Sequence, residues 1–479
     1  MRWTASVLAA IFLVGCSAPA SRVADRGNAP APAPVPGAAA PTSASQATTA
    51  RSELRTAGDR EVLHALSRLT YGPRPGEVER VRALGLDVWL ERQLQEVMVD
   101  FWFNHFNVFA NKGDVRWYVS AYEREAIRPY ALGKFPELVR ATAHHPAMLF
   151  YLDNWLSARP DFTIPAGPNR GRKAGLNENY ARELMELHTL GVDGGYSQKD
   201  VTEVARAFTG WTIERPQAEG RFVFRASMHD TGEKTVLGRR IPAGGGREDG
   251  ERVIEILTRH PSTARFIATK LVRRFVSDVP PPALVDRVAA TYSRTGGDIP
   301  TMLRTIFESR EFLGEDIYRA KIKKPFEFVA SATRALGGRP DAQGGMALAR
   351  ASAEIGEPLY EAQPPTGYGD RAEVWVNSGA LLARMNFALG LVSGRYQRVT
   401  VDLPALVAGA DTSVPAVVLD RLLAAILANQ ASPETRSVLA KHLADPQITR
   451  QTADDRGPAN TDVAKLAALV IGSPEFQRR

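Results

Sequence analysis

Apolar residues recur at helical spacing in one stretch after another between residues 60 and 472, and strand-type alternation is scarce. The spacing predicts helices over 60–69, 87–109, 120–131, 135–143, 146–153, 178–190, 198–210, 248–259, 262–277, 282–294, 298–308 and 321–336, then over 346–355, 377–393, 403–409, 413–428, 433–443 and 460–472. A further turn and helix follow residue 69 in "YGPRPGEVERVRALG", with Pro75 at an early helical position and Gly85 closing the helix. The best strand pairing sets "RFVFR" (221–225) against "KTVLG" (234–238) across the loop "ASMHDTGE". The expected fold is mainly α, a multi-helical globular domain with one small β-hairpin.

The first 50 residues depart from this pattern. "MRWTASVLAAIFLVGCSAPA" has one basic residue, Arg2, then an apolar run too short to span a bilayer, then Leu13-Val14-Gly15-Cys16. This reads as a lipoprotein signal peptide (1–15) removed ahead of lipidated Cys16, whose acyl chains bury methylenes at about 0.8 kcal/mol each. Cys16 is the sole cysteine, which excludes an internal disulfide, a cysteine metal cluster and a catalytic thiol. Ser17 rather than Asp after the lipid site resembles lipoproteins that reach an outer membrane. The expected location is the cell envelope, with the chain anchored through Cys16 and facing the periplasm or the cell surface. Residues 17–50 are almost wholly Ala, Pro, Ser, Thr and Gly and cannot bury a core, so 16–50 is a tether. A helical domain is expected over 51–400, with a helical extension, 401–479, packed on it.

Composition is ordinary for a globular chain, 44% hydrophobic and 24% charged. The net charge of +7 comes from acids and bases that alternate within helices, and with an extracytoplasmic address it does not point to nucleic acid. No internal segment reaches membrane-spanning length. A Gly-rich phosphate loop, a Gly-x-Ser-x-Gly elbow and a dinucleotide fingerprint are all missing from the sequence.

Four stretches could carry chemistry. In "NENYARELMELHTLGVDGGYSQKD" (177–200), Asn179, Glu183 and Glu186 fall within about a 60° arc, while His188 lies about 140° from Glu183, too far round to chelate with it. Glu178, Arg182 and Glu186 make an i, i+4 ladder and Asp200 a helix cap, which leaves Asn179 with Glu183 as the unexplained pair. In "VMVDFWFNHFNVF" (97–109), Asn104 and His105 sit inside the stripe of Val97, Met98, Phe101 and Val108, and buried polar groups need partners. "AHHPAMLFYLDN" (143–154) ends an apolar helix on Asp153, with Asn154 a helix cap and His144 a surface residue in the simplest reading. "MHDTGEK" (228–234) sets His229, Asp230 and Lys234 in the hairpin loop, where a turn explains Asp230 and Gly232 but not His229. "QPPTGYGDRAEVW" (363–375) is a Pro- and aromatic-rich loop able to line a groove or pack on the surface.

Together with "LSRLTYGPRPGEV", "HDTGEKTVLG", "HPSTARFIATKLVRRFVSD" and "KKPFEFVASATRALG", these stretches resemble, in order, the bacterial family called domain of unknown function 1800, over roughly residues 60–395. The resemblance implies export and a sulfatase-like partner encoded nearby, and it carries no established activity. Two departures stand out: "WLERQLQEVMVDFWFNHF" runs without the longer segment usual before the aromatic helix, and Phe103 stands where the family commonly has histidine.

One expected function is an extracytoplasmic enzyme acting on an envelope polymer, with His105, Glu183, His229 and Asp230 as catalytic residues and ligands of a divalent metal, supported by Asn104, Asn179 and Asp153. Mixed imidazole and carboxylate donors suit Zn, Mn or Fe. The other is a non-catalytic binding or assembly protein working with the sulfatase-like partner, in which the same residues form a buried polar network.

Overall fold

The computed structural model describes residues 59–84, 86–165, 169–218, 220–444, 448 and 461–479. The signal peptide, Cys16 and the tether lie outside these residues. Helices dominate, as the periodicity predicts. The chain opens with α1 (Asp59–Leu69), α2 (Glu77–Leu84), the long α3 (Leu86–His105), α4 (Val115–Tyr122), α5 (Phe135–His144) and α6 (Pro146–Tyr151). Next come α7 (Asn179–Glu183) and α8 (Gln198–Ala207), a β excursion, α9 (Glu248–Thr258), α10 (Pro261–Phe275), α11 (Pro282–Thr295), α12 (Ile299–Phe307), α13 (Arg310–Leu313), α14 (Pro325–Ala335), α15 (Ala342–Ile355) and α16 (Ser378–Val392). The last helices are α17 (Leu403–Leu406), α18 (Pro415–Leu427), α19 (Pro433–Lys441), α20 (Val463–Ile471) and α21 (Pro474–Gln477). One continuous apolar core joins residues from α1 to α21, and α20 packs against both α16 and α18.

The helix starts follow from local chemistry. Pro stands in the first turn of α5, α6, α10, α11, α12 and α14, where its missing N–H has no intrahelical partner to lose. Asp298 caps α12 by accepting from the Thr301 N–H (3.0 Å), and Ser197 and Asp200 form the expected capping box on α8. Two helices do not end as α-helix. α4 runs into a π turn, Glu123–Ile127, and α7 into another, Leu184–Thr189. A π turn widens the helix, so the 100° step used to place His188 does not hold beyond Leu184.

The single hairpin expected from the sequence is two hairpins. β1 (Trp211–Glu214) pairs with β2 (Arg221–Phe224), Trp211 opposite Phe224, and β3 (Lys234–Val236) pairs with β4 (Arg239–Ile241). "RFVFR" and "KTVLG" are therefore not partners. β1 was hidden by running α8 on to Gly210, whereas Gly210 (φ +80°) ends the helical stretch and lies so close to the Arg225 carbonyl that a Cβ would come within 2.7 Å of it. The β3–β4 turn is Leu237-Gly238, both at positive φ (49° and 73°), a tight mirror-image turn made without its usual Asn or Asp.

Trp211 fixes how this excursion seats on the helices. Its ring is fully buried against Phe208 and Phe222, and Gly250 of α9 passes close beneath it. A Cβ on Gly250 would lie 2.5 Å from the indole. Ala in a helix gains about 1 kcal/mol over Gly, while overpacking costs about 1–3 kcal/mol. Gly250→Ala is thus expected to lower the urea midpoint; a raised midpoint would show that the indole yields without cost.

Candidate functional site

One face of α3, continued into the turn after it, carries a row of polar residues interrupted by Phe103. Glu96, Asp100, Phe103, Asn104 and Asn107 follow at i, i+4, i+7, i+8 and i+11, while Val97, Met98, Phe101 and Trp102 enter the core. That polar face forms one wall of a cavity of about 60 Å³. A water needs roughly 10–15 Å³ by the same measure, so there is room for a few waters or a small polar group. The other walls come from Tyr71, the π turn and Arg128, the start of α14 at Lys324 and Phe326, and a loop from Glu357 to Tyr368.

Most of this lining is already engaged. The Arg128 guanidinium donates to Glu96 and to Glu123 (2.8 Å), and the Tyr360 hydroxyl donates to the second Glu123 oxygen (2.6 Å). Asn104 holds the loop by donating to the Tyr368 carbonyl (2.9 Å) and accepting from the Tyr368 N–H (2.7 Å). Asn107 donates to the Ala362 and Pro364 carbonyls at 2.9 and 3.0 Å. Gly367, at φ +68°, is required there, because a Cβ would fall 2.3 Å from the Asn104 carbonyl oxygen. Of "QPPTGYGDRAEVW", Tyr368 lines the cavity, held in place by Asn104, and most of the remaining residues stay at the surface.

Two carboxyls stand apart. Asp100 is half-buried and forms no hydrogen bond or ion pair among the described residues; burial raises its pKa, with Lys324 and Arg274 pulling the other way. Glu357 accepts from the Phe326 N–H (2.8 Å), and burial pushes its carboxyl up to about 7 against the pull of Lys324, with Asp100 adding to the rise. Lys324 itself is balanced by Asp370, 3.2 Å away. Burial works against the Asp370 charge, but Lys324, Lys270 and Arg274 hold that carboxyl far below the usual range.

The residues singled out in the sequence are distributed differently from the expectation. His105 is buried among Trp102, Phe106 and Phe135, with Nε2 3.1 Å from the His188 carbonyl oxygen, and burial keeps it neutral by driving its pKa well below the usual value. Glu183 is half-buried with no hydrogen bond or ion pair among the described residues; burial and then Glu186 raise its pKa. Asn179 donates to the Leu152 carbonyl (3.3 Å), and Asp153, in the left-handed region at φ 59°, pairs with Lys112 (2.7 Å). His229 is buried, with Nδ1 2.7 Å from the Thr209 carbonyl oxygen and Nε2 3.2 Å from Asp249. Asp230 faces the other way, into a two-pronged contact with Arg206 at 2.8 and 3.1 Å that holds its pKa down. His105, Glu183, His229 and Asp230 thus meet different partners. Among the described residues no group of three or more His, Cys, Asp and Glu side chains is placed to hold a metal ion. The simplest readings of His144 and Asn154 also give way: His144 lies between Trp211 and Phe222 and pairs with Glu251 (2.8 Å), and Asn154 is buried, donating to the Phe208 and Trp211 carbonyls.

Residues 88–478 match the family described as protein of unknown function (DUF1800). The chain belongs to the DUF1800 family. None of the curated proteins and none of the solved structures matches it. The DUF1800 match begins after "LSRLTYGPRPGEV" and runs across position 400 almost to the last residue, taking in the cavity and the His229 surroundings alike. Phe103, which stands where the resemblance leads one to expect histidine, is one of the cavity-lining side chains. Among the described residues no helix is long and apolar enough to cross a membrane.

Proposed function

We propose that this DUF1800 chain is an envelope enzyme, held to a membrane through lipidated Cys16, whose acid–base pair is Asp100 and Glu357. The observation that carries the reading is Asp100: a carboxyl lining a small cavity, without a hydrogen bond or ion pair among the described residues, in a cavity it shares with a second carboxyl, Glu357, that burial pushes up to about 7. A desolvated pair of this kind keeps one proton at neutral pH, which is what a general acid and its partner base require. The cavity admits only a small polar group, so the substrate is a terminus or side group of an envelope polymer rather than its backbone. The sequence places the expected divalent metal on His105, Glu183, His229 and Asp230, and the acid–base pair proposed here uses none of those side chains.

Asp100→Asn decides the matter. Removing a proton-transfer group typically costs about 10²–10⁴-fold in rate. Hydrolysis of envelope polysaccharide by the purified protein should fall by that factor with the melting temperature unchanged or raised, because no ion pair is lost. Glu357→Gln should remove the pH dependence that Glu357 supplies. Its folded pKa near 7 exceeds the unfolded value of about 4.3, so its stabilisation is complete below pH 4 and lost as pH rises through 7. Unchanged activity in Asp100→Asn would instead favour the non-catalytic reading, a binding or assembly protein beside a sulfatase-like partner. The saturated contacts of Asp230 and His229 already suit that reading.

A further inference from the structure

The charges around the cavity do not balance. Four carboxyls line it, Glu96, Asp100, Glu123 and Glu357, against two cations, Arg128 and Lys324. Each of those cations is already matched: Arg128 pairs with Glu96 and Glu123, and Lys324 with Asp370, which lies outside the lining. Arg274, the other cation that acts on Asp100, is paired with Glu327. Asp100 and Glu357 are therefore left without an ion pair among the described residues, and the Phe326 N–H that donates to Glu357 carries no full charge. Buried charge is held with a counter-ion, so two such carboxyls in one cavity call for a cation or a proton. Much of the remaining wall is aromatic, formed by Tyr71, Phe103, Phe326, Tyr360 and Tyr368.

We propose that the cavity binds a primary ammonium group of the substrate, held between the Asp100 carboxylate and the aromatic walls. Carboxylate oxygens accept from the ammonium N–H groups, while ring faces attract the cation and its attached carbon. A metal ion suits these walls less well, because hard cations take six or more oxygens and rings supply none; among the described residues no group of three or more Asp, Glu, His or Cys side chains is placed to hold one. The room fits the group, about 60 Å³ where a water needs roughly 10–15 Å³. The proposal rests on reading this cavity as the substrate site, and it narrows that reading: the polymer end that enters carries a free amine, as an unacetylated amino sugar or a peptide amino terminus does. The single proton of the carboxyl pair then stays on one member while the ionised partner faces the ammonium.

The test titrates the purified full chain with methylammonium chloride, read by calorimetry and by the rise in melting temperature, with potassium chloride at the same ionic strength as reference. Methylammonium is expected to bind where potassium does not, and Asp100→Asn to weaken that binding at least about tenfold. Phe103→Leu, which leaves every carboxyl in place, is expected to weaken it about threefold through the loss of one ring face. Glucosamine and glycinamide stand for the two sources of the amine, and binding of either supports the proposal and names the source. An equal response to potassium and methylammonium overturns it by making this an inorganic cation site. So does methylammonium binding that Asp100→Asn leaves unchanged. Hydrolysis lost in Asp100→Asn, with no methylammonium bound by the wild-type chain, would remove the ammonium site and keep the acid–base pair. Methylammonium binding that needs Asp100, with hydrolysis untouched by the substitution, would keep the ammonium site and remove the acid–base pair.

Discussion

Glu327→Gln should lower the unfolding free energy by about 3–5 kcal/mol, the cost of leaving buried charge without its counter-ion. Glu327 lies in the first turn of α14, only 3% exposed, where Arg274 donates to it at 2.5 Å and the Arg479 guanidinium lies 3.1 Å away. The Lys324 N–H also donates to it at 2.9 Å. Other buried cations crowd the same region: Arg68 donates to the Phe275, Val276 and Ile317 carbonyls, and Lys321 pairs with Asp278. Gln retains the hydrogen-bonding shape and removes the charge, so the two guanidiniums become uncompensated. Burial opposes the Glu327 charge, but Arg274, Arg479 and Lys324 prevail and hold the carboxyl far below its usual range. A depressed folded-state pKa gives stability that is present above the unfolded value of about 4.3 and is lost as pH falls toward the folded value. Urea titrations of the two proteins should therefore differ most at neutral pH and converge as pH drops below 4. A constant difference across that range would show that the charge itself contributes little.

How much of this was legible in the sequence depends on distance along the chain. The periodicity placed α10 within two residues at its C-terminal end, and it set the ladder Glu178, Arg182 and Glu186, whose pairs lie at 3.4 and 3.6 Å. The Ser197 and Asp200 cap was equally readable, since the two bonds that make it join residues three apart, while the Leu237 N–H that also donates to Asp200 was not. The cavity was not. Asp100 sits one helical turn before Asn104, so the shared face was visible in "VDFWFN", but nothing in that stretch says that Glu357 and Tyr368 lie opposite. Periodicity tells which way a side chain faces and is silent about what faces it. The same limit explains why His105 and His229 were joined in one expected site: each is a buried polar residue without a local partner. The partners turn out to be the His188 carbonyl for one and Asp249 with the Thr209 carbonyl for the other. Asp249 escaped notice because "GGGREDGERV" reads as a loop and a charged helix start.

Asp249→Asn should likewise cost about 3–5 kcal/mol, and it tests what His229 is for. Asp249, 3% exposed, is 2.7 Å from the Lys234 ammonium and 3.2 Å from His229 Nε2. Lys234 is itself 1% exposed, and its remaining partners are the Asp230 and Gly232 carbonyls, which carry no full charge. Neutralising Asp249 therefore strands a buried cation. Lys234→Met alone should cost a similar amount by stranding the carboxylate. The two together should cost less than their sum, because a buried ion pair replaced as a unit by neutral groups is often close to neutral in stability. Denaturant midpoints of the two single variants and the double variant give the coupling energy directly. A large coupling, with the proposed hydrolysis of envelope polysaccharide unaffected in the double variant, would make His229 and its neighbours part of the scaffold that holds β3 against α9. If instead the midpoints hardly move and activity collapses, the site lies here rather than at Asp100, because only a group the fold does not need is free to be spent on substrate.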